Sequence, residues 1–371
     1  MLSYDKVVTI ENLIEVYKTV RKNTRHKDKI FIFELFFSCN IISIYNTLKS
    51  EKYRHGRYNI FIIKEPKYRL IMSESMPDKI VNHLVSTYFL FPIIDSMLLP
   101  INVATRPLMG SGKGIEYVKK YINKLKYKHD KIYILKCDIA KYFYSIDQEI
   151  LLEKLSKLIK EERVFNLVKG IITSTNYEYV NDCINKTVNK EIERLSKLSI
   201  KDYQEHVDKL KSIPLYQKGK GLPIGNMTSQ ILAVYYLNDL DHYIKEKLKI
   251  KYYVRYMDDF ILFHENREYL KYCLKEIEKK LMEVKLKLNN KTQILEIHHG
   301  FCFLGYRFIL KDKKLLMLLN SDTKKRVRKR VKCVRENNPE SLDRTLASYN
   351  GYLSRAASGS FRFKHDLKIK K

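Results

Sequence analysis

The feature that most constrains the fold is a pair of apolar runs separated by two acidic residues. Residues 252–257 and 260–263 are rich in aromatic and aliphatic side chains, and Asp258 and Asp259 stand between them. Apolar alternation on both sides of a short polar break is typical of a β-hairpin. The sequence therefore predicts a strand, a turn and a second strand over residues 250–264, with the two carboxylates at the turn.

A third carboxylate, Asp138, ends another apolar run. Residues 132–137 (Ile-Tyr-Ile-Leu-Lys-Cys) predict a buried strand. A carboxylate there is unfavourable unless a cation pairs with it. Two aspartates at a turn beside a third on a neighbouring strand predict a site for two Mg²⁺ ions, with Mn²⁺ as a substitute, because Mg²⁺ favours carboxylates and substrate phosphates. The alternative is that Asp258 and Asp259 serve only the turn; the flanking strands favour the metal site.

The charge of the chain narrows the class of partner. Its 371 residues contain 71 Lys and Arg against 42 Asp and Glu, a formal net charge of +29. This excess favours a polyanion, most simply nucleic acid. Drift in an AT-rich genome and a membrane surface are the competing explanations. At 45% hydrophobic residues, the chain can bury a core, and its length suggests two or three lobes or one large domain with appendages.

The absence of targeting segments and the pattern of cysteines exclude further classes of protein. The sequence has no run of 18 or more uncharged apolar residues and no signal-peptide pattern at its start. Its six scattered cysteines form no CxxC pair, which favours reduced thiols over a zinc site or a disulfide framework. We therefore expect a cytoplasmic protein without a membrane partner.

The other segments predict a mainly helical chain with a few short strands. Residues 9–53 are mixed and mainly helical, and residues 58–72 predict two strands joined by a turn with proline. Further helices are predicted over residues 77–99, after a capping box at residues 145–148, over 228–248 and over 267–287. Residues 186–212 predict a solvated, helical Lys/Glu-rich insertion, residues 294–319 a hairpin, and residues from about 321 two basic helices.

Six blocks of this sequence resemble motifs of reverse transcriptases. Residues 256–259 (Tyr-Met-Asp-Asp) resemble the YxDD box of that family. The others, spread over roughly residues 58–310, are residues 66–69 (fingers), 136–143 (first catalytic aspartate), 221–230 (beneath template and nucleotide), 291–292 (lysine motif) and 303–306 (primer grip). The resemblance is strongest to the bacterial enzymes of diversity-generating retroelements, with group II intron and antiphage-defence enzymes related.

The resemblance implies an α+β right-hand polymerase fold. Fingers, a palm with an antiparallel sheet and packed helices, and a helical thumb are its expected parts. The N-terminal segment and fingers would span residues 1–130, and the palm residues 131–300, with a helical Lys/Glu-rich insertion at about 175–217. Residues 301–371 would form the primer-grip hairpin and a basic thumb.

The resemblance also implies catalytic roles. Asp138 and Asp258 would bind both metal ions, Asp259 would support them, and the backbone carbonyl of Ile139 would be a further ligand. Lys291 would protonate the pyrophosphate leaving group, unless it is simply a solvated lysine.

Five residues are expected to contact the incoming dNTP. Lys67 and Arg69 would pair with the triphosphate, arginine through its forked geometry. Phe143 would be the aromatic steric gate that rejects a 2′-hydroxyl; its alternative is an ordinary core residue. Ile224 and Gln230 lie in the block beneath template and nucleotide.

Ile224 departs from the commoner pattern, in which glutamine stands at this position. Isoleucine cannot hydrogen-bond, so base discrimination should fall. The variant resembles that of diversity-generating retroelements, whose enzymes miscopy template adenines. Residues 78–83, Arg106 followed by residues 112–114, and residues 348–353 also match that group. The alternative is a lineage marker without effect on fidelity.

A basic cluster predicts nucleic-acid contacts in the thumb. The expected nucleic-acid-binding residues are Arg106, Lys113, Lys324, Lys325, Arg326, Arg328, Lys329 and Arg330. A solvated basic face is the alternative for the cluster at residues 324–332. No RNase H or endonuclease pattern follows the thumb-like region.

We therefore expect an RNA-directed DNA polymerase that makes error-prone cDNA from a structured non-coding RNA. Its partners would be that RNA, an RNA/DNA hybrid, dNTPs, and an accessory protein or further copies of itself. The alternative is an antiphage-defence reverse transcriptase that makes accurate, repetitive, protein-primed or untemplated DNA. A catalytically silent RNA-binding scaffold is a third possibility.

Overall fold

The computed structural model describes residues 3–24, 27–64, 67–198, 202–365 and 367. Helices and short antiparallel strands together give the α+β class predicted from the sequence. The α-helices are α1 Tyr4–Val7, α2 Ile10–Asn23, α3 Lys27–Leu35, α4 Phe37–Lys49, α5 Met76–Leu84, α6 Phe91–Met97, α7 Ser111–Leu125, α8 Tyr142–Ser145, α9 Gln148–Leu158, α10 Glu162–Ile172, α11 Tyr179–Ser196, α12 Tyr203–Lys211, α13 Met227–Tyr236, α14 Asn238–His242, α15 Arg267–Glu283, α16 Ser321–Asn337, α17 Leu342–Leu353 and α18 Gly359–Lys364. The strands are β1 Asn59–Ile63, β2 Arg69–Ser73, β3 Tyr133–Asp138, β4 Tyr252–Tyr256, β5 Asp259–His264, β6 Gln293–Glu296, β7 Phe301–Phe303, β8 Tyr306–Lys311 and β9 Lys314–Leu319.

The chain divides into two compact units, each assembled from three stretches. The first unit comprises Met1–Arg106, Ile139–Tyr243 and Glu278–Leu288. The second comprises Pro107–Asp138, Ile244–Ile277 and Asn289–Lys371. Stretches distant in sequence therefore build each core.

The second unit is organised around a four-stranded antiparallel sheet in the order β4-β5-β3-β6. Residues 260–263 of β5 are buried, because a central strand covered on both faces favours apolar residues throughout. Helix α7 packs against the sheet through Tyr121, whose ring lies 5.3 Å from that of Tyr252 and 6.1 Å from that of Phe263. The predicted strands at 132–137 and 250–264 are confirmed.

Residues 294–319 do not form a single hairpin, so that prediction is wrong. Strand β6 pairs with β3, with Lys136 opposite Gln293. The 3₁₀ turn Ile297–His299 and Gly300, at φ +76°, then separate it from a three-stranded sheet β7-β8-β9. A Cβ at residue 300 would lie 3.1 Å from the Phe308 carbonyl oxygen, so this break favours glycine.

The C-terminal helices follow that three-stranded sheet. Helix α16 buries Val327, Val331 and Val334, a helical spacing that leaves its cationic side chains on the outside. The Tyr352 ring of α17 stacks on Tyr306 at 4.6 Å. The predicted basic character is concentrated in α16.

In the first unit, β1 and β2 form the predicted antiparallel hairpin. It packs on α11, where Val180 and Ile184 share a core cluster with Ile60 and Met72. Among the described residues, the Lys/Glu-rich stretch is helical over α11 and α12, as predicted, and residues 199–201 lie outside them. It is not fully solvated, since Leu195, Val207 and Leu210 are buried.

The predicted helix at residues 77–99 is present but interrupted. Ser75 caps α5 by accepting the Asp78 backbone N–H at 3.2 Å, and a π-helical segment, Val85–Leu90, separates α5 from α6. Pro92 lies in the first turn of α6 and has no N–H to give to a continuing α-helix. The predicted apolar stripe (Ile80, Leu84, Val85 and Phe89) is buried.

Within the described ranges, one helical stretch, Met76–Met97, is long and apolar enough to cross a membrane. Half of its apolar window is buried inside the fold, and one such helix is weak evidence for a membrane span. Helices α3 and α4 pass the same test only when taken together, and they meet at a bend of 84°.

Two predicted helix boundaries are corrected. Helix α9 begins after Asp147, which accepts the Ile150 N–H at 3.1 Å. Ser145 instead ends α8 and donates to the Ala140 carbonyl at 3.1 Å, so it is not the cap. The predicted helix at 228–248 is broken at Leu237 and becomes π-helical over Tyr243–Lys247.

Candidate active site

The Asp258 side chain belongs to a two-residue turn between β4 and β5. Tyr256 and Asp259 are opposite each other in the strand register, which leaves Met257 and Asp258 to make the turn. Met257 adopts φ +58°, a strained conformation for a residue other than glycine. Arg255, which is fully buried, donates from Nη1 to the Met257 carbonyl at 2.9 Å and supports that turn.

Asp138 and Asp259 face each other across two neighbouring strands. They are paired residues in the β3–β5 register, which places their Cβ atoms about 5 Å apart. Burial raises the pKa of Asp259 to about 7; Lys136 opposes this shift, and the charges of Asp138 and Asp258 add to it. The ammonium of Lys136 lies 4.0 Å from Asp259 Oδ2 and donates to the Cys302 carbonyl at 2.8 Å.

Asn289 holds the Asp138 carboxylate. Its Nδ2 donates to Asp138 Oδ2 at 2.6 Å, and its backbone N–H donates to the Asp138 carbonyl at 2.8 Å. Its Oδ1 accepts the backbone N–H of Lys291 at 2.6 Å. One side chain thus links the first predicted metal ligand to the lysine motif. Asn289 was not among the residues predicted from the sequence, although it lies two residues before Lys291.

The carboxylates fit a divalent cation by their chemistry. Asp259 Oδ1 is buried and has no hydrogen-bond partner, an unfavourable state that a hard cation would relieve. Asp138 and Asp258 supply further carboxylate oxygens at the same end of the sheet. Across the part of the chain that the structure describes, no three His, Cys, Asp or Glu side chains form a closed cluster. The three aspartates are therefore neighbours without a preformed cage, and Mg²⁺ seldom requires one, because water and phosphate complete its shell.

The two remaining residues of the predicted catalytic and metal set, Lys291 and Ile139, belong to different units. Lys291 is exposed in the turn before β6. Ile139 belongs to the first unit, where it is buried and makes a β-bridge with Leu288.

The residues predicted to contact the dNTP lie in the first unit. Lys67 and Arg69 are exposed at the β1–β2 hairpin, and Arg69 pairs with Ile63. Pro66 of the same block lies outside the described residues. Phe143 is half-buried in α8 with its ring edge-on to that of Tyr142 at 5.9 Å.

Ile224 is fixed through its backbone. Its carbonyl accepts the Met72 N–H of β2 at 2.8 Å, while its side chain is half-buried. Gln230 is exposed on α13. The hairpin and the segment before α13 are thus joined by a main-chain bond in the first unit.

Two of the residues predicted to bind nucleic acid have partners inside the protein. Arg106 Nε donates to Asp95 Oδ1 at 2.6 Å, and its Nη1 donates to the Leu99 carbonyl at 3.0 Å. Its side chain is 11% exposed, so we leave Arg106 out of the proposed nucleic-acid surface. Lys113 pairs with Glu116 at 2.8 Å but keeps 41% of its side chain exposed.

The predicted cations of α16 lie away from the buried valines of that helix. The exposed or half-exposed positions are Lys324, Lys325, Arg326, Arg328, Lys329 and Arg330. They offer positive charge along one helix of the second unit.

The chain matches one protein-family model over most of its length. That model, described as reverse transcriptase (RNA-dependent DNA polymerase), matches residues 62–308. The chain belongs to the reverse transcriptase family. The match contains the three aspartates and confirms the predicted α+β right-hand polymerase fold. No curated protein matches the sequence.

Among solved structures, two telomerases resemble this reverse transcriptase. Telomerase from Candida albicans, solved with the TWJ fragment of telomeric RNA, is 15% identical with a TM-score of 0.43, over 83% of this chain and 56% of the telomerase chain. Apo telomerase from Candida tropicalis, truncated from its C-terminal domain, is 13% identical with a TM-score of 0.44, over 74% and 59%. The chain thus spans little more than half the length of either.

Proposed function

We propose that this chain is an RNA-directed DNA polymerase. The observation that carries the proposal is the register of the palm sheet, in which Asp138 is opposite Asp259 and Asp258 occupies the adjoining turn. Three carboxylates at one sheet end suit phosphoryl transfer, where metal-held phosphates meet the primer terminus. Membership of the reverse transcriptase family supports RNA as the template.

The proposed reaction joins the 3′-oxygen of a primer to the α-phosphorus of a dNTP. The bond from that phosphorus to its bridging oxygen breaks, and pyrophosphate leaves. Bound Mg²⁺, or Mn²⁺ in its place, would lower the pKa of the primer hydroxyl and neutralise phosphate charge. Asp138, Asp258 and Asp259, together with the Ile139 carbonyl, would hold it.

The protein's own groups are assigned the remaining tasks. We propose that Lys291 gives a proton to the leaving pyrophosphate. Lys67 and Arg69 pair with the triphosphate, and Phe143 excludes a 2′-hydroxyl. Gln230 and Ile224 shape the space beneath the nascent base pair.

Primer extension on an RNA template with Mg²⁺ and dNTPs tests the proposed activity. We expect Asp258→Asn to abolish incorporation while the thermal unfolding midpoint stays near that of the wild type, because the substitution removes one charge from a crowded carboxylate group. Asp208→Asn, at an exposed position of α12, removes the same charge elsewhere and should extend normally. Extension by Asp258→Asn would refute the assignment of the site.

We further propose that the polymerase is error-prone, as in diversity-generating retroelements, because Ile224 cannot hydrogen-bond to the nascent pair. Sequencing of the products should show errors concentrated opposite template adenine, and Ile224→Gln should reduce them. Accurate, repetitive or untemplated DNA would favour the antiphage-defence alternative. Nucleotide attached to the protein itself would indicate protein priming.

For partners we propose a structured non-coding RNA, its RNA/DNA hybrid and an accessory protein or self-association, in the cytoplasm. The charge of +29 supports the nucleic-acid partners. Equal affinity for the structured RNA and for unrelated RNAs of the same length would contradict a specific template.

A further inference from the structure

The second unit contains a basic groove whose lining includes none of the predicted cations of α16. Helix α7 and the two residues after it form one wall, and the β8–β9 turn with strand β9 forms another. The segment after α17 completes the groove. Its volume is about 620 Å³. The cationic and aromatic residues of its lining are Lys119, Lys126, Tyr127, Lys313, Lys314 and Arg355.

The groove concentrates positive charge. Its lining contributes five cations, and none of the described residues that line it is acidic. The carboxylate that acts on Arg355 electrostatically, Glu116, is itself engaged by Lys113 at 2.8 Å. Cations from three separate elements converge there, with no carboxylate among the described residues of the lining, and such a concentration of charge favours a bound polyanion.

An exposed aromatic ring gives the groove a second kind of contact. Tyr127 is 75% exposed, so its ring is available to stack on a base. Lys126 Nζ lies 4.9 Å from the Tyr127 ring centroid. Leu316, 37% exposed, adds apolar surface to the same lining.

We propose that this basic groove binds single-stranded RNA, with phosphates on the lysines and a base stacked on Tyr127. A cationic groove with an interleaved aromatic is the arrangement that proteins use for unpaired strands. Free phosphate or an acidic peptide would bind to the cations but would make no use of the exposed Tyr127 ring. The volume suits one or two nucleotides rather than a double helix.

The strand bound there would be template RNA that is not yet paired with primer. This assignment rests on the proposed RNA-directed activity. It adds a contact outside the polymerising site, so that groove variants should change RNA affinity and leave nucleotide addition on a short hybrid intact.

A matched pair of charge-reversal variants tests the groove. Lys313→Glu/Lys314→Glu changes the exposed hairpin tip, and Lys186→Glu/Lys190→Glu changes two exposed lysines of α11 by the same charge. Binding of fluorescent single-stranded oligoadenylate is followed by anisotropy over a series of salt concentrations. The groove variant should reduce the slope of log affinity against log salt by about 1.4, since each phosphate contact on a single strand contributes about 0.7. The α11 variant should keep the wild-type slope.

Tyr127→Ala tests the stacking contact separately. Loss of one stacked base should weaken oligoadenylate binding by about 5- to 150-fold, with little change in salt slope because no charge is lost. Wild-type affinity in this variant, or equal slopes in the two charge-reversal variants, would overturn the proposal.

Extension of a short RNA/DNA hybrid separates the two proposals. If the wild type extends the hybrid and the groove variants bind oligoadenylate like the wild type, the groove assignment fails and the polymerase assignment stands. If the wild type does not extend the hybrid but the groove variants lose oligoadenylate affinity as described, the polymerase assignment fails and the groove remains an RNA site.

Discussion

At the scale of single residues, Asn289 sets the position of the Asp138 carboxylate. We predict that Asn289→Ala lowers the rate of primer extension roughly tenfold and raises the Mg²⁺ concentration needed for half-maximal rate, as is typical when a residue that orients a metal ligand is removed. Asn290→Ala, one residue later at an exposed position, is the matched control. A Mg²⁺ titration in which the two variants coincide would rule out this positioning role.

The buried pair His55 and Glu74 makes stability depend on pH. His55 Nε2 lies 3.6 Å from Glu74 Oε1, and the two side chains are 0% and 4% exposed. Burial raises the pKa of Glu74. The pKa of His55 is also raised, because contacts with Glu74 and Asp78 outweigh the effect of burial.

Both shifts act in the same direction. A raised His55 pKa stabilises the fold at low pH, and this contribution is lost as pH rises through the pKa of the folded protein. A raised Glu74 pKa means that the folded protein opposes ionisation of this carboxyl, so stability also falls as pH rises above the ordinary pKa of glutamate. We predict that the free energy of unfolding in urea falls from pH 6 to pH 8, and that Glu74→Gln flattens this fall. Glu153→Gln, on the exposed face of α9, should retain the wild-type dependence.

Some residues of the site could be found from the sequence and others could not. Asp138, Asp258 and Asp259 follow apolar runs, so they can be identified from the local sequence pattern. Asn289 hydrogen-bonds to Asp138, 151 positions earlier in the chain, and the periodicity of a sequence contains no information on such a pairing. Arg255 could not be identified for a different reason: it interrupts an apolar strand, and its bond to the Met257 carbonyl is visible only in the fold.

At the scale of elements, Gly225 joins the β1–β2 hairpin to the segment before α13. It adopts φ +141°, and an added Cβ would lie 2.5 Å from the Met72 carbonyl oxygen. We predict that Gly225→Ala lowers the free energy of unfolding by about 2–3 kcal/mol. Gly170→Ala, in α10 with open space around it, should raise it by about 0.5–1 kcal/mol. Equal effects in urea denaturation would contradict the close approach at Gly225.

Strands were easier to predict than the interruptions of helices. Alternation located β1 to β5, because the side-chain period of a strand is short and survives in a few residues. The apolar stripe continues on either side of each π-helical segment. The periodicity of the sequence therefore predicts one continuous helix where the structure has an interrupted one. The pairing register of β6 could not be predicted either, because its partner β3 lies more than 150 residues earlier in the chain.

At the scale of the whole molecule, a net charge of +29 raises the question of whether nucleic-acid affinity is local or general. Charge acts over about 8–10 Å at moderate salt, so distant lysines should add little to binding at a given surface. The exposed cations of α16 in the second unit and those of α11 in the first allow this to be tested with equal changes in net charge.

We predict that affinity for an RNA/DNA hybrid falls steeply with salt, and that Lys325→Glu/Arg328→Glu in α16 reduces the slope of log affinity against log salt by about 1.8, near 0.9 for each duplex phosphate released. Lys186→Glu/Lys190→Glu should leave that slope unchanged. If both pairs reduce it equally, the hybrid responds to total charge, and α16 is a solvated basic face. A reduction confined to α16 would place the duplex on that helix, because counterion release counts only the phosphates that a cation touches.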